Sequence, residues 1–174
     1  MASHATTPLA WIIEPLGKQH DRAAFSCEEP ELTEYLQKRA SQDIQRYAAA
    51  VFVATQPGDT QVLGYYSLSA LSVALDAIPE EQAKHFARYP AVPVTLLGRL
   101  ARDASEKKKG LGEFLLMDAL QRAYRQSDSI ASSAVIVDAK SERAAAFYQV
   151  YGFLPFPDSP RRLFLPMKTI AKLF

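Results

Sequence analysis

From Val92 to Asp138 the chain reads as an apolar strand, a loop bearing lysines and two glycines, a helix, and a second apolar strand. That order restricts the fold more than any other stretch. Val92–Arg102 (VPVTLLGRLAR) is the first strand, with Pro93 near its start. The helix spans about 110–126 and packs Leu111, Phe114, Leu115, Ala119, Leu120 and Tyr124. Ala134–Asp138 (AVIVD) is nearly all apolar, as expected of a strand buried on both faces. A strand–helix–strand unit late in a chain of mixed β and α order implies an α/β fold around one mixed sheet flanked by helices.

The rest of the chain agrees. Residues 11–16 read as a short strand. Pro30 opens a helix over 30–47, with Leu32, Tyr35, Leu36, Ala40, Ile44 and Tyr47 at three- and four-residue steps and Glu28, Glu29 and Glu31 at its dipole-positive start. Residues 50–55 and 61–71 read as a hairpin joined by QPGDT. A short helix is expected over 79–88, and a last strand over 162–168. A helix from Ser141, a good N-cap, to Tyr151 ends at Gly152, where a left-handed residue fits. No repeat or linker divides the chain, so residues 11–174 are expected to form a single domain behind a frayed tail, residues 1–10.

Of the 174 residues, 48% are apolar and 22% charged, enough to build a core. No apolar run approaches the ~20 residues that cross a bilayer, and the N-terminus lacks a secretory pattern. The single cysteine, Cys27, excludes an intrachain disulfide and a multi-cysteine metal site. His4, His20 and His85 have no ligand spacing, so no metal is expected. A cytoplasmic protein fits these features. Residues 1–94 carry 7 basic and 11 acidic side chains, whereas residues 95–174 carry 13 basic and 8 acidic ones. A ligand bearing phosphate therefore suits the second half.

The loop Lys107-Lys108-Lys109-Gly110-Leu111-Gly112 opens a helix whose first amides lack intrahelical partners. With the helix dipole and the lysines they form an anion site. The spacing is neither a Walker loop nor a dinucleotide fingerprint, which leaves the pyrophosphate of coenzyme A as the remaining common ligand. The bland alternative is a solvated lysine run.

At these residues the chain resembles the GNAT acetyltransferase superfamily. That family's pyrophosphate motif, Gln/Arg-x-x-Gly-x-Gly/Ala, matches Lys107–Gly112 except that Lys107 replaces the planar side chain. A second signature, a helix ending Phe/Leu-Tyr-x-x-x-Gly-Phe, matches Phe147, Tyr148, Gly152 and Phe153, and Ser141 stands where an asparagine is frequent. Over nearly its whole length, through LLGRLARD, GLGEFLLMDAL, VIVDAKSERAAAFY and GFLPFPDSPRRLFLPMKTIA, the chain looks like the acetyltransferase toxins of bacterial toxin–antitoxin pairs. The resemblance implies acetyl-CoA as co-substrate, the α-amine of aminoacyl-tRNA as acceptor, and a block of translation. It also implies a ribbon-helix-helix antitoxin as partner, DNA contact only through that antitoxin, a homodimer, and no membrane association.

The same resemblance places the pantetheine on backbone amides of Leu100, Ala101 and Arg102, beside a splay near Asp138. Tyr148 then serves as the general acid toward the thiolate, a role within reach of a phenol of pKa about 10. Its alternative is a core aromatic, as for Tyr151. No convincing base stands out: Asp103 and Asp138 sit at strand ends and read equally as caps. An α-amine, with pKa about 8, needs less help to lose its proton than a lysine does. Arg99, Lys140, Arg143, Arg161 and Arg162 are the RNA-contact candidates, with Arg161–Arg162 favoured because they sit in a loop near the site. The rival readings are a GNAT enzyme acting on a small amine or a protein lysine, and an inactive module that binds CoA or the antitoxin.

Overall fold

The computed structural model describes residues 11–174, so the tail expected over residues 1–10 lies outside the described residues. Strands β1 (Ile12–Pro15), β2 (Ala50–Thr55), β3 (Gly64–Ala74), β4 (Ala91–Arg102), β5 (Ala134–Asp138), β6 (Leu154–Phe156) and β7 (Ser159–Pro166) form one sheet in the order β1-β2-β3-β4-β5-β7-β6. Every neighbouring pair is antiparallel except β4 and β5. These two are joined by the helical crossover that a parallel pair requires. The mixed sheet with helices is the α/β architecture expected from the sequence.

Period-two alternation sends successive side chains to opposite faces of the sheet. Val51, Val53 and Tyr65 belong to one buried cluster, and Ala54 and Tyr66 to the other. In β5, Val135 and Val137 join the second cluster while Ala134 and Ile136 join a third, which is why this strand is apolar at both phases.

The first face is covered by α1 (Pro30–Glu34), a π-helical turn (Tyr35–Arg39) and α2 (Ala40–Gln45). Leu32, Tyr35, Leu36 and Ala40 are buried there as their spacing predicts. The helix is not the single unit expected over 30–47. The Ala40 amide reaches back five residues to the Tyr35 carbonyl, and the chain leaves the helix after Gln45. Tyr47, expected on the apolar stripe, is 96% exposed and has a φ of +57°. The Ala48 amide closes that turn on the Asp43 carbonyl.

The longest helix, α4 (Leu111–Gln126), and α5 (Glu142–Val150) line the largest core. In α4 the buried stripe is Leu111, Leu115, Leu116, Ala119, Leu120 and Ala123. Phe114, expected inside, is 38% exposed and rests on Trp11 at a ring separation of 5.4 Å; Tyr124 is only partly buried. Gly64 is required where α4 crosses β3, because a Cβ there would stand 2.9 Å from Leu115 Cδ1 and 3.1 Å from the Ala101 carbonyl. Strand β3 starts at Gly64, later than the expected residue 61, because Gln61 and Val62 pair with Asp21 instead, and it runs on to Ala74.

Other boundaries move as well. The helix expected over 79–88 reduces to α3 (Glu80–Ala83), which buries no residue of its own; the buried apolar anchors Ile78 and Phe86 lie outside it. The last strand, expected to reach residue 168, stops at Pro166. There the chain turns into α6 (Met167–Ala171), which buries Met167 and Ile170. Strand β6 has no counterpart in the sequence reading; it pairs with β7 alone, at the sheet edge.

Leu120 is 0% exposed in the cluster between α4 and the sheet. Leu120→Ala is expected to lower unfolding stability by about 2–5 kcal/mol. In urea the midpoint should fall while the denaturant slope is unchanged.

Candidate functional site

Strands β4 and β5 pair only at Thr95–Leu97 with Val135–Val137. Past Leu97, β4 continues to Arg102, paired with β3 on its other side alone. At that point the β3 register shifts between Ser67 and Leu68, so that Ser67 faces Arg99, Leu68 faces Leu97, and Gly98 has no partner. Such a bulge bends a strand and re-aims the following side chains. The two parallel strands therefore part, and a small opening of about 110 Å³ lies between Gly98–Leu100 and Asp138–Ala139, with Tyr148 on its wall.

Tyr148 reaches this cleft from α5. The Ser141 hydroxyl accepts the Ala144 amide at 3.1 Å and caps the helix, while Gly152, with φ of +94°, ends it. The ring stacks edge-on against Phe147 and Phe153, with centroids 5.2 Å and 5.4 Å away. Tyr148 is only 7% exposed. No protein group among the described residues bonds its hydroxyl, yet no fully buried polar side-chain atom lacks a partner. The oxygen therefore faces the cleft. Burial pushes its pKa well above the ordinary phenol value, so it persists as a neutral proton donor. Tyr151, its possible stand-in, is only partly buried and sits against Phe147 at 5.2 Å.

The anion loop lies at the other end of the unpaired segment. Lys108 and Gly110 take positive φ, +62° and +85°. Gly110 is the N-cap of α4, and its carbonyl already accepts the Phe114 amide. The amides of Leu111 and Gly112 begin the helix, which is the geometry that binds phosphates. A groove of about 140 Å³ joins this loop to β4, lined by Cys27, Glu28, Leu100, Ala101, Arg102 and Lys107. Leu100, Ala101, Arg102 and Lys107 line one groove, whereas Lys108, Lys109, Gly110, Leu111 and Gly112 lie beyond its lining, on the way into α4. Ser141 differs: its hydroxyl is engaged in capping.

The cations are largely held by acids that sequence reasoning did not pair with them. Glu28 stands 2.5 Å from Lys107 and 3.7 Å from Arg143. Its hydrogen bond to Lys107 and that lysine's charge hold its carboxyl below the usual range. Glu31 lies 3.6 Å from Lys140, and Lys109 pairs with Glu106 at 3.3 Å. Arg162 forms a two-pronged bond to Asp138, at 2.8 Å and 3.0 Å. Both favoured arginines lie on strand β7 and not in a loop, because Arg162 pairs across to Asp138 on β5; Arg161 is exposed and donates only to the Lys140 carbonyl, at 3.5 Å. Arg99 pairs with no carboxylate; its guanidinium lies 3.4 Å from the centre of the Tyr35 ring.

The two aspartates considered as bases are accounted for. Asp103 accepts the Ser26 amide, the Ser105 amide and the Ser105 hydroxyl at 2.8, 3.0 and 2.6 Å. Burial opposes its charge, but these bonds outweigh it and keep its pKa low. Asp138 is occupied by Arg162. His20 is buried and shares a 2.7 Å contact with Glu14. No group of three or more His, Cys, Asp or Glu among the described residues is arranged to hold a metal, and no helix there is long and apolar enough to cross a membrane.

No family model matches the chain. It is 33% identical over 170 residues to a probable toxin TacT of Sinorhizobium fredii, spanning 93% of this chain and 94% of that one. It is 38% identical over 153 residues to a tRNA-acetylating toxin of Mycobacterium tuberculosis, spanning 88% and 90%. The fold superposes on AtaT complexed with acetyl-methionyl-tRNAfMet with a TM-score of 0.87, at 28% identity over 95% of this chain and 99% of that one. A Tyr-to-Phe mutant of AtaT bound to the C-terminus of the antitoxin AtaR and to acetyl-CoA superposes with a TM-score of 0.81, at 26% identity over 95% and 98%.

The Glu28 carboxylate competes with any phosphate for Lys107 and Arg143. Glu28→Gln is expected to tighten coenzyme A binding by up to about fivefold, the range of an exposed ion pair. Titration calorimetry at low and high salt checks this, and the gain should shrink as salt screens the pair.

Proposed function

The chain belongs to the family of GNAT-fold acetyltransferase toxins of toxin–antitoxin systems, and on that premise we propose that it acetylates the α-amine of aminoacyl-tRNA from acetyl-CoA, so blocking translation. The observation that carries the reading is the Tyr148 hydroxyl, unbonded, opening onto the cleft where β4 and β5 part.

The amides of Leu111 and Gly112, with Lys107, Lys108 and Lys109 around them, receive the pyrophosphate. The free edge of Leu100–Arg102 receives the pantetheine as an added strand and points the thioester into the opening beside Tyr148. The neutral α-amine attacks the thioester carbonyl carbon and a C–N bond forms. As the tetrahedral intermediate collapses the C–S bond breaks, and the Tyr148 hydroxyl gives its proton to the leaving sulfur. The proton lost by the amine passes to water, and through it back to Tyr148.

Asp103 and Asp138 are both engaged elsewhere, which suits an acceptor that is partly neutral on its own. An α-amine of pKa about 7.7–8.0 meets that condition, and a lysine of about 10.4 does not. The partners follow from family membership: an antitoxin of the ribbon-helix-helix class, DNA contacted through it, and a second copy of this chain.

The decisive experiment is transfer of labelled acetyl from acetyl-CoA to a mixture of charged tRNAs. Wild type should label the aminoacyl group. Tyr148→Phe should lose about 10²–10⁴-fold in turnover with acetyl-CoA affinity within about twofold of wild type, since the ring packing survives. Acetyl-CoA binding with no label on tRNA would sink the reading and point to small amines or protein lysines.

The pH dependence has a definite sign. Burial raises the Tyr148 pKa, so its acid form survives through the alkaline range, and only the amine titrates near neutrality. Turnover should rise as the amine loses its proton and then level off, without falling by pH about 10, the ordinary phenol value. A falling limb between pH about 8 and 10 would contradict this account.

A further inference from the structure

Arg99 is unlike the other four cations considered for RNA contact. Lys140, Arg143 and Arg162 each face a carboxylate, and Arg161 is exposed on the outside. Arg99 is half-buried and lies flat over Tyr35, 3.4 Å from the ring centre. The ring is itself fixed. Its hydroxyl donates to Asp43 Oδ2 at 2.8 Å, and it stacks on Tyr65 with centroids 6.2 Å apart. The Tyr65 hydroxyl in turn donates to the Leu32 carbonyl at 2.6 Å. Burial, then the Asp43 bond, push the Tyr35 hydroxyl up to about 12 against the pull of Arg99, so the platform is neutral and offers Arg99 no counter-charge.

The guanidinium borders two spaces. One is the opening beside Tyr148. The other is a cavity of about 350 Å³ that Arg99 lines with Tyr35 and Leu32 and with two ion pairs, Glu31 with Lys140 at 3.6 Å and Glu34 with Arg39 at 4.0 Å. The groove that runs to Lys107 is lined by Leu100, Ala101 and Arg102 but not by Arg99. Leu100 borders both the groove and the opening, Ala101 and Arg102 border the groove, and Arg99 borders the opening and the larger cavity but not the groove. Both carboxylates of that cavity are thus already paired, and the unpaired guanidinium of Arg99 leaves the cavity suited to a phosphate. A planar guanidinium held from beneath presents its edge N–H groups in the fork that matches a phosphate.

We propose that Arg99, held flat on Tyr35, grips the phosphodiester nearest the aminoacylated end of the acceptor RNA and so sets the α-amine at the thioester. This rests on the aminoacyl-tRNA reading above. Arg99 is the group that touches the acceptor, and Tyr35 is a positioning residue acting through it.

The test compares two minimal acceptors: an aminoacyl-adenosine, which has no phosphate, and the aminoacylated cytidylyl-adenosine dinucleotide, which has one phosphodiester. For wild type, kcat/KM should favour the dinucleotide by about tenfold or more, the scale of a charge-assisted hydrogen bond. Arg99→Gln should bring the two acceptors close to parity, mainly through KM of the dinucleotide, and Arg99→Lys should keep part of the preference. Tyr35→Phe should behave as wild type, and Tyr35→Leu should follow Arg99→Gln. Coenzyme A affinity should stay within about twofold throughout. A preference preserved in Arg99→Gln, with both acceptors slowed equally, would reduce Arg99 to a structural role. Weakened coenzyme A binding would assign it to the cofactor phosphates instead. If wild type labels neither minimal acceptor but still acetylates charged tRNA, the phosphate grip lies elsewhere. If it labels no aminoacyl acceptor of any kind, the aminoacyl-tRNA reading fails first.

Discussion

Everything at the site depends on β4 outrunning its parallel partner. A strand with ladder bonds on one side only offers free amides and carbonyls on the other. Here that edge is Gly98–Arg102, exposed inside the cleft because β5 ends at Asp138. The bulge at Gly98 turns the strand as it departs. Because the β4–α4 connection begins at the end of the same strand, the phosphate loop is carried to one mouth of the cleft. Because α5 follows β5, Tyr148 is carried to its inner wall. One interruption in one ladder thus sets the start of α4 and the Tyr148 hydroxyl at opposite ends of one cleft.

The second organising force is charge across that cleft. The acidic start of the chain's first helix and the basic second half look like separate biases in the sequence. In the fold they meet: Glu28 reaches Lys107 and Arg143, and Glu31 reaches Lys140. Exposed pairs of this kind contribute little, because water and salt screen them. They are strong enough to keep the walls from repelling one another. They are also weak enough to give way to a ligand with several phosphates, whose charge is more concentrated than a single carboxylate's. Arg162 is tied more firmly, by two bonds to Asp138, and is correspondingly less available to RNA than a loop position suggests.

What the sequence made legible was what local physics determines. Val92–Asp138 was readable because strand, glycine-bearing loop, helix and buried strand each have their own pattern, and the Ser141 cap and the Gly152 stop because each fills a specific backbone need. The π-turn at Tyr35–Arg39 has no residue signature, since it inserts one residue into a helix whose apolar spacing still reads as regular. The last strand was drawn too long because RLFLPMK is apolar on both sides of Pro166, and only packing tells a strand residue from a helix residue there. Phe114 was placed inside because size and hydropathy favour it, yet Trp11 gives it a half-exposed partner and Leu116 takes the core position. Pairings across the cleft were not readable at all. Glu28 and Lys107 are far apart in sequence, and no spacing rule joins them. For the same reason Arg99 reads in the sequence as one cation among five, whereas in the fold Lys140, Arg143 and Arg162 face carboxylates and Arg99 does not.

The chemistry of the site is lopsided, and the fold shows why that is workable. Burial that raises the Tyr148 pKa makes the phenol a weaker acid, but a departing alkyl thiolate, of pKa about 8.5 when protonated, needs a donor held at the sulfur more than it needs a strong one. The neutral hydroxyl is guaranteed by the same apolar packing, Phe147 and Phe153, that aims it. A general base would require a second ionisable group in that environment, where each charge costs several kcal/mol unless paired. The chain instead commits Asp103 to a turn and Asp138 to Arg162. On the proposed reading, the deprotonation is left to an acceptor whose amine is partly neutral at physiological pH, and a weakly basic α-amine is then favoured by what the site leaves out as much as by what it binds.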